Sequence, residues 1–107
     1  MGPHDRLRAQ LVAALKDHLR RGDRAEVPEA GGLLWDAFME LDGTRTYHSA
    51  GPNPIAFAEI DTWARLRGYP LLPHHVATIR ALDSALLGHV AEKARKAAER
   101  EAARRRR

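Results

Sequence analysis

Asp42, Arg45, Tyr47, His48 and Ser49 stand within eight positions of one another, in the stretch ELDGTRTYHSAGPNPIAFAEI from Glu40 to Ile60. Asp, His and Ser are the ingredients of a nucleophilic relay, in which an imidazole takes the hydroxyl proton and a carboxylate orients the imidazole. The same stretch is dense in turn chemistry. Asp42-Gly43 suits a turn, and Gly51-Pro52-Asn53-Pro54 suits a turn followed by a capped helix. Polar residues fill exposed connectors for reasons unrelated to catalysis. The turn signals favour a structural or binding loop, so no catalytic residue is expected and the chain is read as a non-enzyme.

Arg45 presents a rigid fork of donors that suits a carboxylate such as Asp61 or Asp83, or the carbonyls at a helix end. Asp83 falls among apolar residues in IRALDSALL. An unpaired buried carboxylate is costly, so Asp83 is expected to have a partner. Arg45, Asp61 and Asp83 are therefore the candidate structural pairing residues. The six histidines show no metal-ligand spacing. His74 and His75 are adjacent, about 100° apart on a helix, and no two histidines stand four apart. The chain has no cysteine, which excludes disulfides and thiolate sites. No Gly-rich phosphate loop is present, and neither a metal nor a cofactor is expected.

These residues need elements to position them, and the periodicity supplies helices. Leu7, Leu11, Leu15 and Leu19 recur every four residues, with Asp5 near the start and Arg20-Arg21 before Gly22 near the end, an amphipathic helix oriented as its dipole prefers. DRAEVPEAGG reads as a linker. Leu34, Trp35, Phe38 and Leu41 mark a second helix, roughly residues 29–41, closed by Asp42-Gly43. A third is expected to open with Asn53 as N-cap and Pro54 in the first turn, and to stop at Gly68. YPLLP is a stiff link. A fourth opens at Pro73, carries Val76, Ile79, Leu82, Leu86 and Val90, and runs on into Ala, Glu, Lys and Arg, all strong helix formers. No strand pattern appears. The fold expected is all-α, a small four-helix domain with a long basic C-terminal helical extension. Residues 1–27 form an N-terminal amphipathic helix and linker, loosely attached. Residues 28–91 form the compact core, and 92–107 a basic helical or frayed tail.

Charge follows the same division. Residues 92–107 hold eight Lys or Arg against three Glu, net +5, whereas residues 1–91 hold ten against eleven acidic residues, net −1. The sequence pI of about 10.1 therefore belongs to the tail. No apolar run approaches the roughly 18–20 residues of a membrane span, and the N-terminus lacks a signal-peptide hydrophobic region, so a soluble, intracellular and cytoplasmic chain is expected. Trp35, Phe38, Phe57, Trp63 and Tyr69 are core or partner-facing aromatics, and Trp35, Phe38, Tyr47, Trp63 and Tyr69 are the candidate partner-binding residues.

The run LLWDAFMELDGTR, continued by GPNPIAFAEIDTWARLRGYPLLPHHVATIRALDSALL, resembles small proteins of tailed phages, prophages and gene-transfer-agent clusters. Those are described as tail assembly chaperones or as small proteins encoded near the tape-measure gene. The shared pattern is Trp35, Phe38 and Leu41, then Arg45, Gly51-Pro52-Asn53-Pro54-Ile55, Glu59-Ile60-Asp61, Trp63-Ala64, Gly68, and Leu82-Asp83 with Leu86. It covers roughly residues 33–87. The segment PHHV departs from it, standing where an acidic or Trp-bearing helix start is expected. The resemblance implies a chaperone that lays the apolar stripe of a long helical tape-measure-type protein into a groove and yields it when tail tube subunits compete, with self-association as a further expectation. One alternative is a nucleic-acid-binding protein using Arg104, Arg105, Arg106 and Arg107, whose affinity would fall steeply with salt. Another is a structural component retained in the virion, such as a head–tail connector or tail-completion subunit.

Overall fold

The computed structural model describes residues 2–107. Four helices make up most of the chain: α1 (Pro3–Arg21), α2 (Gly32–Asp42), α3 (Phe57–Arg67) and α4 (Pro73–Arg105). A 3-10 turn, Glu29–Gly31, leads into α2. Between α2 and α3 lies a hairpin of two two-residue strands, β1 (Tyr47–His48) and β2 (Gly51–Pro52), paired antiparallel with Tyr47 opposite Pro52. The architecture is all-α with a long C-terminal helix. The hairpin corrects the expectation of no strand: two residues per side are too few for an alternating pattern to appear in the sequence.

α1 and α4 form the main packing interface. Leu11 and Leu15 of α1, Phe38 and Leu41 of α2, and Ile79 and Leu82 of α4 are buried in one core, joined by Ile55 and Ile60. The expectation of a loosely attached first helix therefore gives way, since two of the leucines in its four-residue stripe lie at the centre of the core. The close approach is made possible by Gly31. A Cβ at that position would lie 2.6 Å from Leu11 Cδ2 and 3.1 Å from Leu11 Cγ. Leu11 is fully buried, so its side chain would have to shift within the core.

Helix ends follow the cap chemistry of the sequence in three places. Gly22 and Gly68 terminate α1 and α3 at φ 73° and 71°, a left-handed conformation that costs glycine little. Pro73 opens α4 in its first turn. The start of α3 is the exception. Its N-cap is Ala56, not Asn53, and Glu59 reaches back to accept the Ala56 N–H at 3.3 Å. Asn53 and Pro54 stay extended because tertiary partners claim this segment, as described below.

α4 continues through residue 91 without a break and spans 33 residues, about 50 Å at 1.5 Å per residue. It sets the long dimension of the molecule, 56 Å against 28 and 25 Å. Residues 91–100 are all exposed. Ion pairs within the helix support them, with Arg95 between Glu92 and Glu99 and Arg104 against Glu101.

At the opposite end, α1 meets the first turn of α4 through histidines. The His4 and His74 rings stack at 3.7 Å between centroids, and His75 lies 4.1 Å from His74. His75 Nδ1 accepts the Leu72 N–H at 2.9 Å and so caps the helix. Burial, aided by His4 and His75, holds the His74 imidazole below its ordinary range.

Two outcomes follow. Gly31→Ala should lower unfolding stability by about 1–3 kcal/mol, the cost of overpacking, although alanine is the better helix former; urea denaturation showing an unchanged or raised midpoint would contradict this packing. The depressed His74 value means that the neutral ring favours the fold above about pH 6.5, and that this contribution is lost as pH falls through the folded-state value. Thermal melts between pH 7.5 and 5 should therefore show a smaller acid loss for His74→Gln than for the unaltered chain.

Candidate partner-binding surface

The loop after α2 is organised by one side chain. Thr44 donates both its N–H (3.0 Å) and its hydroxyl (2.8 Å) to the Leu41 carbonyl, and the Arg45 N–H bonds the Asp42 carbonyl at 3.1 Å. The helix end thus tightens, and Arg45 turns inward. Its Nε donates to Asp42 Oδ1 at 2.8 Å, Nη1 to the Asn53 carbonyl at 2.7 Å, and Nη2 to Asp83 Oδ1 at 2.6 Å. The second oxygen of Asp83 accepts the Ile55 N–H at 2.9 Å. The Arg45 side chain is 1% exposed. Burial opposes its charge, but the hydrogen bonds and charges of Asp42 and Asp83 outweigh that and hold the guanidinium above its ordinary range.

This network explains the late start of α3. Arg45 holds the Asn53 carbonyl, Asp83 holds the Ile55 N–H, and the Asn53 side chain donates to Thr46 Oγ1 at 3.0 Å. Ile55 is thereby inserted into the core. Asp61, the other carboxylate considered for Arg45, instead faces Arg65 one turn on at 3.2 Å, where both are exposed. The residues of the hypothetical relay do not converge. His48 Nδ1 accepts the Ala50 N–H at 3.0 Å, and Asp42 is engaged by Arg45. No group of His, Asp or Glu among the described residues is placed to hold a metal ion.

α3 is held at both ends and on one side, by Ile60 and Ala64, and it carries apolar residues on its other sides as well. Phe57 is 62% exposed and Leu66 is 81% exposed. Between α2 and α3 lies an open groove of about 470 Å³, lined by Leu41, Thr44, Ala58, Trp63 and Leu66. Glu40 and Arg67 pair at its edge. Arg67 foremost, and the Trp63 indole to a lesser degree, hold the Glu40 carboxyl below the usual range. The Trp63 Nε1 itself is buried and stops short of a hydrogen bond. On the other flank, Ile60, Ala64, Tyr69, Leu71 and Val76 line a second groove, with Arg80 stacked over the Phe57 ring at 4.1 Å. Trp63 and Tyr69 lie 5.4 Å apart.

The aromatics named from sequence separate by depth. Phe38 is 0% exposed and cannot touch a partner, which corrects its place among the candidate contacts: its helical period puts it on the inward face of α2. Trp35 is half-buried against the core. Tyr47 is 70% exposed on the hairpin, apart from the grooves of α3, whereas Trp63 and Tyr69 adjoin those grooves. Leu66, Phe57 and Leu72 are not among the candidate partner-binding residues, yet all three are exposed. The signal for Phe57 and Leu66 was present, since apolar residues occupy more than one face of an eleven-residue helix. Arg104 and Arg105 both approach Glu101, and Arg106 and Arg107 lie exposed at the end of the chain.

Residues 14–88 match the family model of the phage tail assembly chaperones. The match covers more than half of the chain, and the chain belongs to that family. It spans the second half of α1, all of α2 and α3, the Arg45 network and the packed part of α4, and it ends where the exposed extension begins. No curated protein and no solved structure matches the chain.

Asp83→Ala should destabilise the fold by about 3–5 kcal/mol, because it leaves the Arg45 charge buried with one carboxylate fewer and strands the Ile55 N–H. Asp83→Asn should recover part of that loss. A denaturation midpoint unmoved by Asp83→Ala would show that the network does not hold the loop.

Proposed function

We propose that this tail assembly chaperone binds the apolar stripe of a helical tape-measure-type tail protein across α3, and that it acts by binding alone. The observation that carries the reading is the exposure of large apolar side chains along α3, Phe57 and Leu66 above all, beside the Trp63 groove. Exposed apolar residues that line grooves mark interaction sites more often than residues scattered singly. An amphipathic helix is the natural occupant of such a groove, its residues at i, i+3, i+4 and i+7 meeting Leu66, Trp63 and the α2 edge. A tape-measure helix has to keep that stripe covered until the tail tube closes round it, and tube subunits that bind the same stripe would displace the chaperone. Several copies on one long helix would bind with avidity although each contact is small.

The nucleic-acid alternative draws no support from the family. The cations of α4 are also partly spent, since Arg95, Arg104 and Arg105 face glutamates on their own helix. No helix among the described residues is long and apolar enough to cross a membrane, which agrees with an assembly role away from the bilayer.

The test is co-expression with a tape-measure-type tail protein. Phe57→Ser combined with Leu66→Asp should weaken the complex by about tenfold or more while leaving the circular dichroism spectrum and melting midpoint near those of the unaltered chain, because both positions are exposed. Undiminished binding by a folded double variant would overturn the assignment of the surface to α3.

A further inference from the structure

A further cleft, of about 690 Å³, lies away from α3, between the last turns of α1 and the middle of α4. Leu19 and Ala85 give it apolar surface. Its charge is one-sided, for Lys16, Lys93 and Lys96 line it together with Arg20 and His89, and Glu92 is the single acid. Arg20 is engaged by Asp17 at 2.5 Å, and Glu92 is held by Arg95 at 2.5 Å. Lys96 only comes within 4.0 Å of Glu92. Among the described residues, no ion pair engages Lys16 or Lys93.

Gly88 is the second observation. It sits in the interior of a 33-residue helix, where glycine costs about 1 kcal/mol relative to alanine. Packing within the chain does not require it, because a Cβ at this position would meet nothing within 4 Å. The missing side chain keeps open a part of the cleft wall that the protein itself leaves unfilled, and it lets a second backbone approach closely.

We propose that this cleft receives an acidic, apolar-striped helix of a partner protein, its small and aliphatic residues against Leu19, Ala85 and Gly88 and its carboxylates against Lys16, Lys93 and Lys96. A nucleic acid fits less well. The cleft holds no Phe, Tyr or Trp on which a base would stack, and its apolar surface has no counterpart on a phosphate backbone. The basic extension beyond it, net +5 over residues 92–107, steers an acidic partner toward the same side. This site is independent of the α3 surface, so the protein would hold two segments at once.

The full ¹⁵N-labelled chain would be titrated with a designed helical peptide that flanks an alanine–leucine stripe with glutamates. Its Glu→Gln counterpart and a single-stranded oligonucleotide of equal charge would be run in parallel. The proposal expects saturable amide shifts centred on residues 16–20 and 84–96 with the acidic peptide alone. It expects affinity to fall about tenfold or more with the Gln peptide and with Lys16→Glu combined with Lys93→Glu. Gly88→Leu should abolish binding while keeping the helical spectrum, since the added side chain enters open space. Leu66→Asp should leave the titration unchanged, which separates this site from the α3 surface. Absence of saturable shifts at the cleft would overturn the proposal. So would equal binding of the oligonucleotide, or displacement of the peptide by unlabelled chain, which would make the cleft a self-association site.

Discussion

The bond on which the architecture depends is the buried pair of Arg45 and Asp83, two residues 38 positions apart that meet at 2.6 Å. Taking both charges out of water is expensive, and a buried ion pair on its own is weak evidence for stability. What distinguishes this one is completeness. Arg45 engages a carboxylate at the end of α2, a carbonyl of the loop and a carboxylate on α4, and the far oxygen of Asp83 takes a backbone N–H four residues before Glu59. The pair therefore fixes where the chain leaves α2, where it dips to bury Ile55, and where α3 begins. α3 packs only a narrow side against the body, so its placement rests on that anchorage more than on a broad interface. An element positioned by its ends can leave its other sides uncovered, and the exposed Phe57 and Leu66 are the result.

How much of this was legible in the sequence differs by the range of the interaction responsible. Local chemistry read correctly: the leucine stripe of α1, the glycine stops at Gly22 and Gly68, and the proline start of α4 each depend on neighbours within a turn. The start of α3 did not. Asn53-Pro54 is a sound helix opening by local rules, and it lost to Arg45 and Asp83, which claim the same backbone from 8 and 28 residues away. The need of Asp83 for a partner followed from the cost of burying a carboxylate, whereas the choice of Asp83 over Asp61 required the helix packing. Depth was the weakest inference. Periodicity states which face a residue occupies, not how far inside that face lies, and so Phe38 was grouped with Trp63 although one is sealed in the core and the other lines a groove.

Two physical regimes coexist along α4. Its first half is core, with Ile79, Leu82 and Asp83 buried, and its second half is a solvated rod of alanine and paired charges. Continuity matters more than either half. Because the helix does not break between them, the orientation of the extension is set by the packing of α4 against α1, and the cleft between those helices lies at the point where core gives way to rod. The family match ends in the same region, so the extension lies outside the matched body.

The small size of each exposed surface bears on how such a protein would work. The proposed α3 site, built on a few apolar side chains, would bury less area than the roughly 1,600 Å² of a standard stable interface, and association must first offset the loss of translational and rotational freedom. One copy on one helix would therefore be held weakly and exchange quickly. That suits the action proposed above, in which the client is later surrendered to tube subunits, provided that many copies cover a long client together. Strength would then come from number and reversibility from the individual contact. A larger apolar site would gain affinity for the client at the expense of release, and it would expose to water, on a chain of 107 residues, a surface that favours aggregation before any client is present.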